Sequence, residues 1–338
     1  MKIKSIIEKD CEVICSYLDQ PMLANKTILI TGASGLLGIY FLSCLKIISK
    51  KIEGIKIIAV FRSSLPDYMN ENDFDNLTIF KGDISDYNFC SGIPMADFII
   101  HAAGYGQPLK FMDAPEKTLK LNTFSTFLLF DKLTAGGHFL FISSSEVYSG
   151  LPPSLYNEDQ IGITNTTHPR ACYIEGKRGG EAICNAYRLK GIKASSVRLS
   201  HTYGPGTKKG DKRVILSFIE KALAGEINLL DKGEVIRTYC YISDAIEIMW
   251  NILFSCNDPV YNLGGNSQTT IAGIAQSIGE LMHVPVIFPE VENSIIGAPE
   301  EVQLDMSKVK KEFNKKSYVN LKDGLKKTID WYLDIINN

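Results

Sequence analysis

The chain carries no excess of either charge. Thirty-six Lys and Arg stand against 38 Asp and Glu, a formal net charge of −2 over 338 residues. That removes the electrostatic footprint of a nucleic-acid binder or a binder of anionic membranes. There is no C-x-x-C pair either: Cys11, Cys15, Cys44, Cys90, Cys172, Cys184, Cys240 and Cys256 are scattered. This argues against a disulfide framework and against a metal site, and for free thiols in a reducing, cytoplasmic setting. No secretory segment is expected, because Glu8, Lys9, Asp10 and Glu12 follow the first lysines at once. The uncharged run from Thr27 to Leu45 is long enough to attract a membrane reading. Three glycines divide it into strand, turn and helix, so no membrane span is expected. Repeats and low-complexity tracts are absent, and 45% hydrophobic with 22% charged residues is ordinary for a globular protein of one large or two modest domains.

What the chain does contain begins at Thr27-Ile28-Leu29-Ile30, a strand-like run. It is followed by Thr31-Gly32-Ala33-Ser34-Gly35-Leu36-Leu37-Gly38 and an apolar helical run from Ile39. Strand, glycine turn and helix in that order open a nucleotide-binding βαβ unit. Gly32 permits the tight turn, Gly35 lets backbone N–H groups approach a pyrophosphate, and Gly38 lets helix and strand pack closely. The anion would sit at the helix N-terminus, contacted also by Ser34, Leu36 and Leu37. Further strands are expected at 55–60, 77–80, 98–100, 138–142 and 194–199, with helices between them, one of them from Leu119 to Leu133. An amphipathic helix over 4–19 precedes them. Beyond Ser200 the alternation breaks down, apart from one return to the sheet near Tyr261-Asn262-Leu263. The reading is a Rossmann-type doubly wound parallel α/β sheet with a smaller C-terminal α/β lobe for substrate. Residues 1–25 form the N-terminal helix, 26–199 with about 236–264 bind the dinucleotide, and 200–235 with 265–338 make the lobe.

The spacing G-x-x-G-x-x-G resembles that of extended short-chain dehydrogenases/reductases. The resemblance implies that Asp83 and Ile84 meet the adenine, that Ala102, Ala103 and Gly104 lie close to the cofactor, and that Asn122 is the structural and proton-relay Asn. An NAD site usually has an acid at the end of the second strand to bind ribose hydroxyls. Here Phe61-Arg62-Ser63-Ser64 stands instead. Arg62 and Ser63 either hold a 2′-phosphate, which would make the cofactor NADP, or Arg62 stacks on the adenine of NAD.

Tyr173 and Lys177 are four apart and share one helix face. A free Tyr, with a pKa of about 10, is a poor base at neutral pH. A neighbouring ammonium and a positive nicotinamide are expected to lower that value. Tyr173 could then take a proton from a sugar hydroxyl as hydride leaves, with Ser144 bonding the same oxygen.

The run Pro169-Arg170-Ala171-Cys172-Tyr173, then Glu175-Gly176-Lys177-Arg178, resembles the active-site helix of UDP-glucuronate decarboxylases. Thr202-Tyr203-Gly204-Pro205, Arg213-Val214, and Arg237 with Tyr241 and Ser243-Asp244 continue that likeness. It implies a nucleotide-sugar substrate and a redox cycle in which bound NAD oxidises C4 and the 4-ketone accepts electrons while CO₂ departs from C5. Ser144, Ser145 and Glu146 match the family's Thr-Ser-Glu triplet, Glu146 acting on the carboxylate side. Arg170 and Arg237 would hold carboxylate or diphosphate, and Ser145, His201 and Arg213 would line the same site. A homodimer through the 119–133 and 173–188 helices is also implied. The chain departs from the family's pattern at the second-strand acid, at 101–108, at His201 and at Gly206, so the sugar is left open. A 4-epimerase or 4-keto reductase needs only Ser144, Tyr173 and Lys177. A 4,6-dehydratase would need an Asp where Ser145 stands. A non-catalytic nucleotide sensor would be expected to lack the Tyr–Lys pair.

Overall fold

The computed structural model describes residues 3–289 and 301–337. Residues 1–2, 290–300 and 338, which fall in the expected N-terminal segment and C-terminal lobe, lie outside them. In chain order the elements begin α1 (Ile3–Ser16), β1 (Thr27–Thr31), α2 (Leu36–Ile48), β2 (Lys56–Phe61), β3 (Leu77–Lys81), α3 (Tyr87–Ser91) and β4 (Ala96–His101). Next come α4 (Pro108–Asp113), α5 (Pro115–Asn122), α6 (Phe124–Phe130), β5 (Leu133–Ser144), β6 (Leu155–Tyr156), α7 (Ala171–Arg188), β7 (Lys193–Leu199) and β8 (His201–Tyr203). The remainder is α8 (Val214–Leu223), β9 (Ile227–Asn228), β10 (Ile236–Tyr241), α9 (Ile242–Ser255), β11 (Val260–Leu263), β12 (Ser267–Thr270) and α10 (Ile271–Met282). Last are β13 (Val286–Ile287), β14 (Glu301–Leu304), α11 (Ser307–Phe313) and α12 (Leu321–Asn337).

Seven parallel strands in the order β11-β7-β5-β4-β1-β2-β3 form the larger sheet. The order reverses between β1 and β4, so the loops leaving those two strands part and open a crevice at their carboxyl ends. Strands such as Ile28-Leu29-Ile30 and Phe139-Leu140-Phe141 are buried on both faces, which is why they read as continuous apolar runs rather than alternating ones. This is the doubly wound fold expected from the motif order.

Three expectations are corrected. The helix expected over 119–133 bends at Thr123 (φ −114°, ψ −69°) into α5 and α6 and ends at Phe130. Hydroxyls along it bond back to the preceding turn: Thr123 Oγ1 to Leu119 O, Ser125 Oγ to Leu121 O, and Thr126 Oγ1 to Asn122 O. Such back-bonding competes with the backbone ladder and bends helices. The freed residues from Leu133 join the fifth strand instead. The N-terminal helix stops at Ser16, short of the expected residue 19.

The third correction concerns 236–264, which divides between the two sheets. β10 pairs with β8, β12 and β14 in the smaller sheet, while α9 packs on the larger sheet and β11 joins it. The buried Tyr239-Cys240-Tyr241 run has no alternation that could tell one sheet from the other. A polar hub ties α1 to both parts of the chain. Asp10, 4% exposed, accepts from Tyr40 of α2 (3.1 Å) and Tyr241 of β10 (2.6 Å) and pairs with Lys327 of α12 (2.7 Å).

Candidate active site

The glycine loop forms a cradle with no room for side chains. Gly32 has φ +69°, and a Cβ there would stand 2.6 Å from the Ala102 carbonyl oxygen at the exit of β4. At Gly38 a Cβ would lie 2.4 Å from Ala33 Cα. Gly35 is the extended N-cap of α2, whose first turn, with Leu36 and Leu37, presents backbone N–H groups toward the strand ends. The exits of β1 and β4 are stitched together by Thr31. Its hydroxyl donates to His101 Nδ1 (2.8 Å) and accepts from the Ala103 N–H (3.1 Å), while His101 Nε2 donates to Leu121 O (3.1 Å). Burial first, and Lys177 second, push His101 down to about 3, so the ring is neutral. His101 is thus a framework residue. Ala102, Ala103 and Gly104 follow it directly, and Gly104 stands exposed opposite Lys177 and Asn122.

Ser144 ends β5 and Tyr173 opens α7, and they meet: the Ser144 hydroxyl acts on the phenol, favouring its ionised form. Lys177, one turn after Tyr173, is 6% exposed, donates to Ile142 O (2.7 Å) and lies 5.6 Å from the Tyr173 ring centroid. Among the chain's own groups, Lys177 does not lower the phenol as expected. Burial raises Tyr173 to about 12, opposed by Ser144, Arg170 and Arg213 and reinforced by Glu146. Burial likewise lowers Lys177 to about 7, against the pull of Glu181. Asn122 is fully buried; its Nδ2 donates to Thr118 O (2.7 Å), and its Oδ1 has no partner.

On the substrate side, Glu146 follows Ser144 in a short 3-10 turn and forms an ion pair with Arg170 at the N-cap of α7. Glu146 Oε2 and Arg170 Nε are buried and unpartnered. Burial raises the Glu146 carboxyl above its ordinary value, with Arg170, Arg237 and His168 pulling it back. The smaller sheet contributes His201 from β8 and Arg237 from β10. The His201 ring remains solvent-accessible, yet the depth of its setting and the guanidiniums of Arg237, Arg213 and Arg170 hold it down to about 4. Arg213 is anchored by Asp211 through two parallel bonds (3.0 and 2.7 Å). Ser145 is buried beside Glu146. Phe111 of α4 was not legible in the sequence. Its ring stacks on Tyr173 (4.5 Å, 11°) and carries the Arg170 guanidinium on its face (5.4 Å). A single Phe in a short helix offered no signal.

Farther along the groove, Ser63 at the exit of β2 contacts Ser34 (3.2 Å), and Arg62 donates to Tyr105 Oη (3.0 Å). Asp83 spends one carboxylate oxygen on its own turn, through Ser85 (2.7 Å), and the other on Lys117 of α5 (2.7 Å). Burial opposes these bonds, which nevertheless bring Asp83 down to about 2. Ile84 is buried beside it.

These residues fit a dinucleotide. The loop has N–H donors at a helix N-terminus and no Cβ to block a diphosphate, and Asn122 Oδ1 is an unused buried acceptor. Residues 28–264 match the NAD dependent epimerase/dehydratase family. UDP-glucuronic acid decarboxylase 1 of Danio rerio is 30% identical over 315 residues, covering 91% of this chain and 73% of that protein. UDP-glucuronic acid decarboxylase 6 of Arabidopsis thaliana is 30% identical over 305 residues, with 89% and 87% covered. Among solved structures, the epimerase Mth375 of Methanothermobacter thermautotrophicus aligns with a TM-score of 0.80 at 20% identity, covering 98% of this chain and 96% of that one. MoeE5 in complex with UDP-glucuronic acid and NAD aligns with a TM-score of 0.74 at 21% identity, covering 91% and 99%. Both structural likenesses bear on the fold. A sequence match running from β1 through β11, over strand exits shaped for a dinucleotide, means that this chain belongs to the NAD dependent epimerase/dehydratase family, with NAD as its cofactor.

Proposed function

We propose that the enzyme oxidises C4 of a UDP-hexuronate and uses the resulting ketone to release CO₂ from C5, as a nucleotide-sugar decarboxylase. One observation carries the reading. The Ser144–Tyr173 pair lies near three guanidiniums: Arg170 and Arg213 act on the phenol, and Arg237, Arg213 and Arg170 act together on His201. Among the described residues, Asp211 is committed to Arg213, and Glu146 pairs with Arg170 yet retains one unpartnered oxygen. Planar guanidiniums gathered there suit a substrate bearing both a diphosphate and a carboxylate. The decarboxylases named above are consistent with it.

Bound NAD supplies the hydride acceptor and a positive ring charge. Tyr173 takes the proton from the C4 hydroxyl, and Ser144 orients that oxygen. Lys177, held against Ile142 O, keeps a donor at the same end of α7. A carboxylate β to the new ketone then loses CO₂ and leaves an enolate on the sugar. Arg170 and Arg237 position the carboxylate, and Glu146, held partly toward its neutral form by burial, delivers or steers the proton needed at C5. The phenol is restored when hydride returns to C4. The described residues of 200–235, 265–289 and 301–337, with β10, form the lobe proposed to hold the sugar.

The test is product analysis. With UDP-glucuronate the purified protein should release CO₂ and form a UDP-pentose. An unchanged uronate, together with a 4-epimer, a reduced sugar or a 4-keto-6-deoxy sugar from other nucleotide sugars, would assign the corresponding alternative. Tyr173→Phe should lower turnover by about 10²–10⁴-fold with the dinucleotide still bound. We also infer a homodimer over α5 and α6, where Leu119, Phe124 and Phe127 are 38–47% exposed. Light scattering should give twice the chain mass.

A further inference from the structure

The ion pair on the substrate side of the site is only half made. Arg170 offers Nε and Nη2 as one edge of its guanidinium, a fork that fits both oxygens of a carboxylate. Glu146 Oε1 accepts from Nη2 alone, so Glu146 Oε2 and Arg170 Nε are left buried and without partners. Both residues are fixed from behind. Glu146 lies in the 3-10 turn that leaves β5, where its N–H donates to Ser144 Oγ (3.2 Å). The Arg170 N–H donates to His168 Nδ1 (3.1 Å), and its guanidinium lies on the face of the buried Phe111 ring. That contact holds the plane of the guanidinium and uses none of its donors. Three further groups act on the carboxylate: Arg237 of β10, His168 ahead of α7 and Tyr173 within α7.

A carboxylate that fills both positions of the fork competes well against one that fills a single position. We propose that the carboxylate of the uronate substrate takes Arg170 from Glu146, and that Glu146, deprived of its counter-charge, picks up one proton from solvent as the sugar binds. The substrate thereby arms the acid that its own decarboxylation requires. Proton balance demands such an acid. The bond from C5 to the departing CO₂ breaks, its electron pair enters the enolate of the 4-ketone, and C5 must then gain a proton. The Glu146 carboxyl gives that proton and becomes a carboxylate again. CO₂ leaves uncharged and the pentose has no carboxylate, so Arg170 returns to Glu146 as product departs. Burial already raises the Glu146 carboxyl, and Arg170 is the strongest force against it. A nucleotide hexose without a carboxylate leaves the pair intact and Glu146 ionised, so the pair also screens substrates. The exchange rests on the decarboxylase reading for its substrate, but it is a property of binding and precedes turnover.

The full-length Tyr173→Phe holoenzyme, in which oxidation of the bound sugar is suppressed, isolates the binding step. Isothermal titration near neutral pH in two buffers of different ionisation heat should show about one proton taken up per UDP-glucuronate, and about none for UDP-glucose. By linkage, affinity for UDP-glucuronate should fall by up to about tenfold for each unit of pH rise, while that for UDP-glucose stays level. Adding Glu146→Gln should abolish both the uptake and the slope. It should also tighten UDP-glucuronate binding by about tenfold, because no carboxylate then competes for Arg170. Equal uptake with both sugars, uptake that survives Glu146→Gln, or an affinity for UDP-glucuronate that ignores pH overturns the exchange. The pH slope needs no change at Glu146, so it decides the matter if that variant does not fold. CO₂ release by the wild-type chain without these proton effects would remove the exchange and leave the decarboxylase reading standing. The proton effects without CO₂ release would do the reverse.

Discussion

Two arginine–carboxylate pairs lie within a few turns of each other, and they are finished differently. Behind the strand ends, Glu181 accepts from Ser143 (2.5 Å) and from two nitrogens of Arg198, whose remaining donors reach Tyr148, Glu158 O and Gln160 O. Both side chains are under 10% exposed and every polar atom is engaged. In front of the strand ends, the Glu146–Arg170 pair leaves Oε2 and Nε buried without partners. Saturated networks rigidify a fold, whereas unsatisfied buried groups cost free energy and persist where function demands them. The same contrast separates His101, whose two nitrogens are both bonded, from Asn122, whose Oδ1 is not. Other orphans, such as the Trp250 and Trp331 indole nitrogens, are single donors embedded in apolar packing. Two orphaned atoms on one ion pair that acts on the Tyr173 phenol are a different matter.

Stability gives the widest separation between the two pairs. Arg198→Met should cost about 3–5 kcal/mol in urea unfolding, because Glu181 is left buried and uncompensated. Arg170→Met should cost about 1 kcal/mol or less, since Glu146 is already pushed toward its protonated form and can neutralise itself. Equal losses would erase the distinction. Turnover should reverse the ranking: Glu146→Gln is expected to lower kcat by about 10²-fold with an unchanged urea midpoint. A variant that unfolded early at full activity would make Glu146 a framework residue.

The smallest effect lies in the acid limb. His101 has a folded pKa of about 3, below its unfolded value near 6.5. The unfolded chain therefore binds the extra proton between those values, and stability is complete above about pH 6.5 and falls as pH drops toward 3. His101→Asn, which keeps a hydrogen-bonding side chain, should give a flatter decline over that range in thermal midpoints. An unchanged slope would mean that His101 is not the neutral strut described.

Much of this was legible because it is local. The G-x-x-G-x-x-G loop announces itself, since only glycine tolerates φ +69° at residue 32 against the Ala102 carbonyl. Tyr173 and Lys177 share a face by helix geometry alone. The bend at Thr123 was missed because apolar periodicity runs through it, while the hydroxyls that cause it act on the backbone rather than on the pattern. Phe111 was missed because it reaches the site across a long sequence separation. The expectation that Lys177 together with a positive nicotinamide lowers Tyr173 treated charge alone, and the chain's own groups supply only part of that charge. Desolvation, which depends on everything packed around the pair, outweighs it.

By itself the sequence determined the parallel sheet, the dinucleotide loop and the shared helix face of Tyr173 and Lys177, because strand runs, glycine spacing and the i, i+4 relation are properties of short segments. Only the tertiary structure decided which carboxylate is saturated and which is left open, where β10 pairs, and what surrounds Arg62. Those outcomes depend on burial and on partners supplied from distant parts of the chain, and no short segment encodes either.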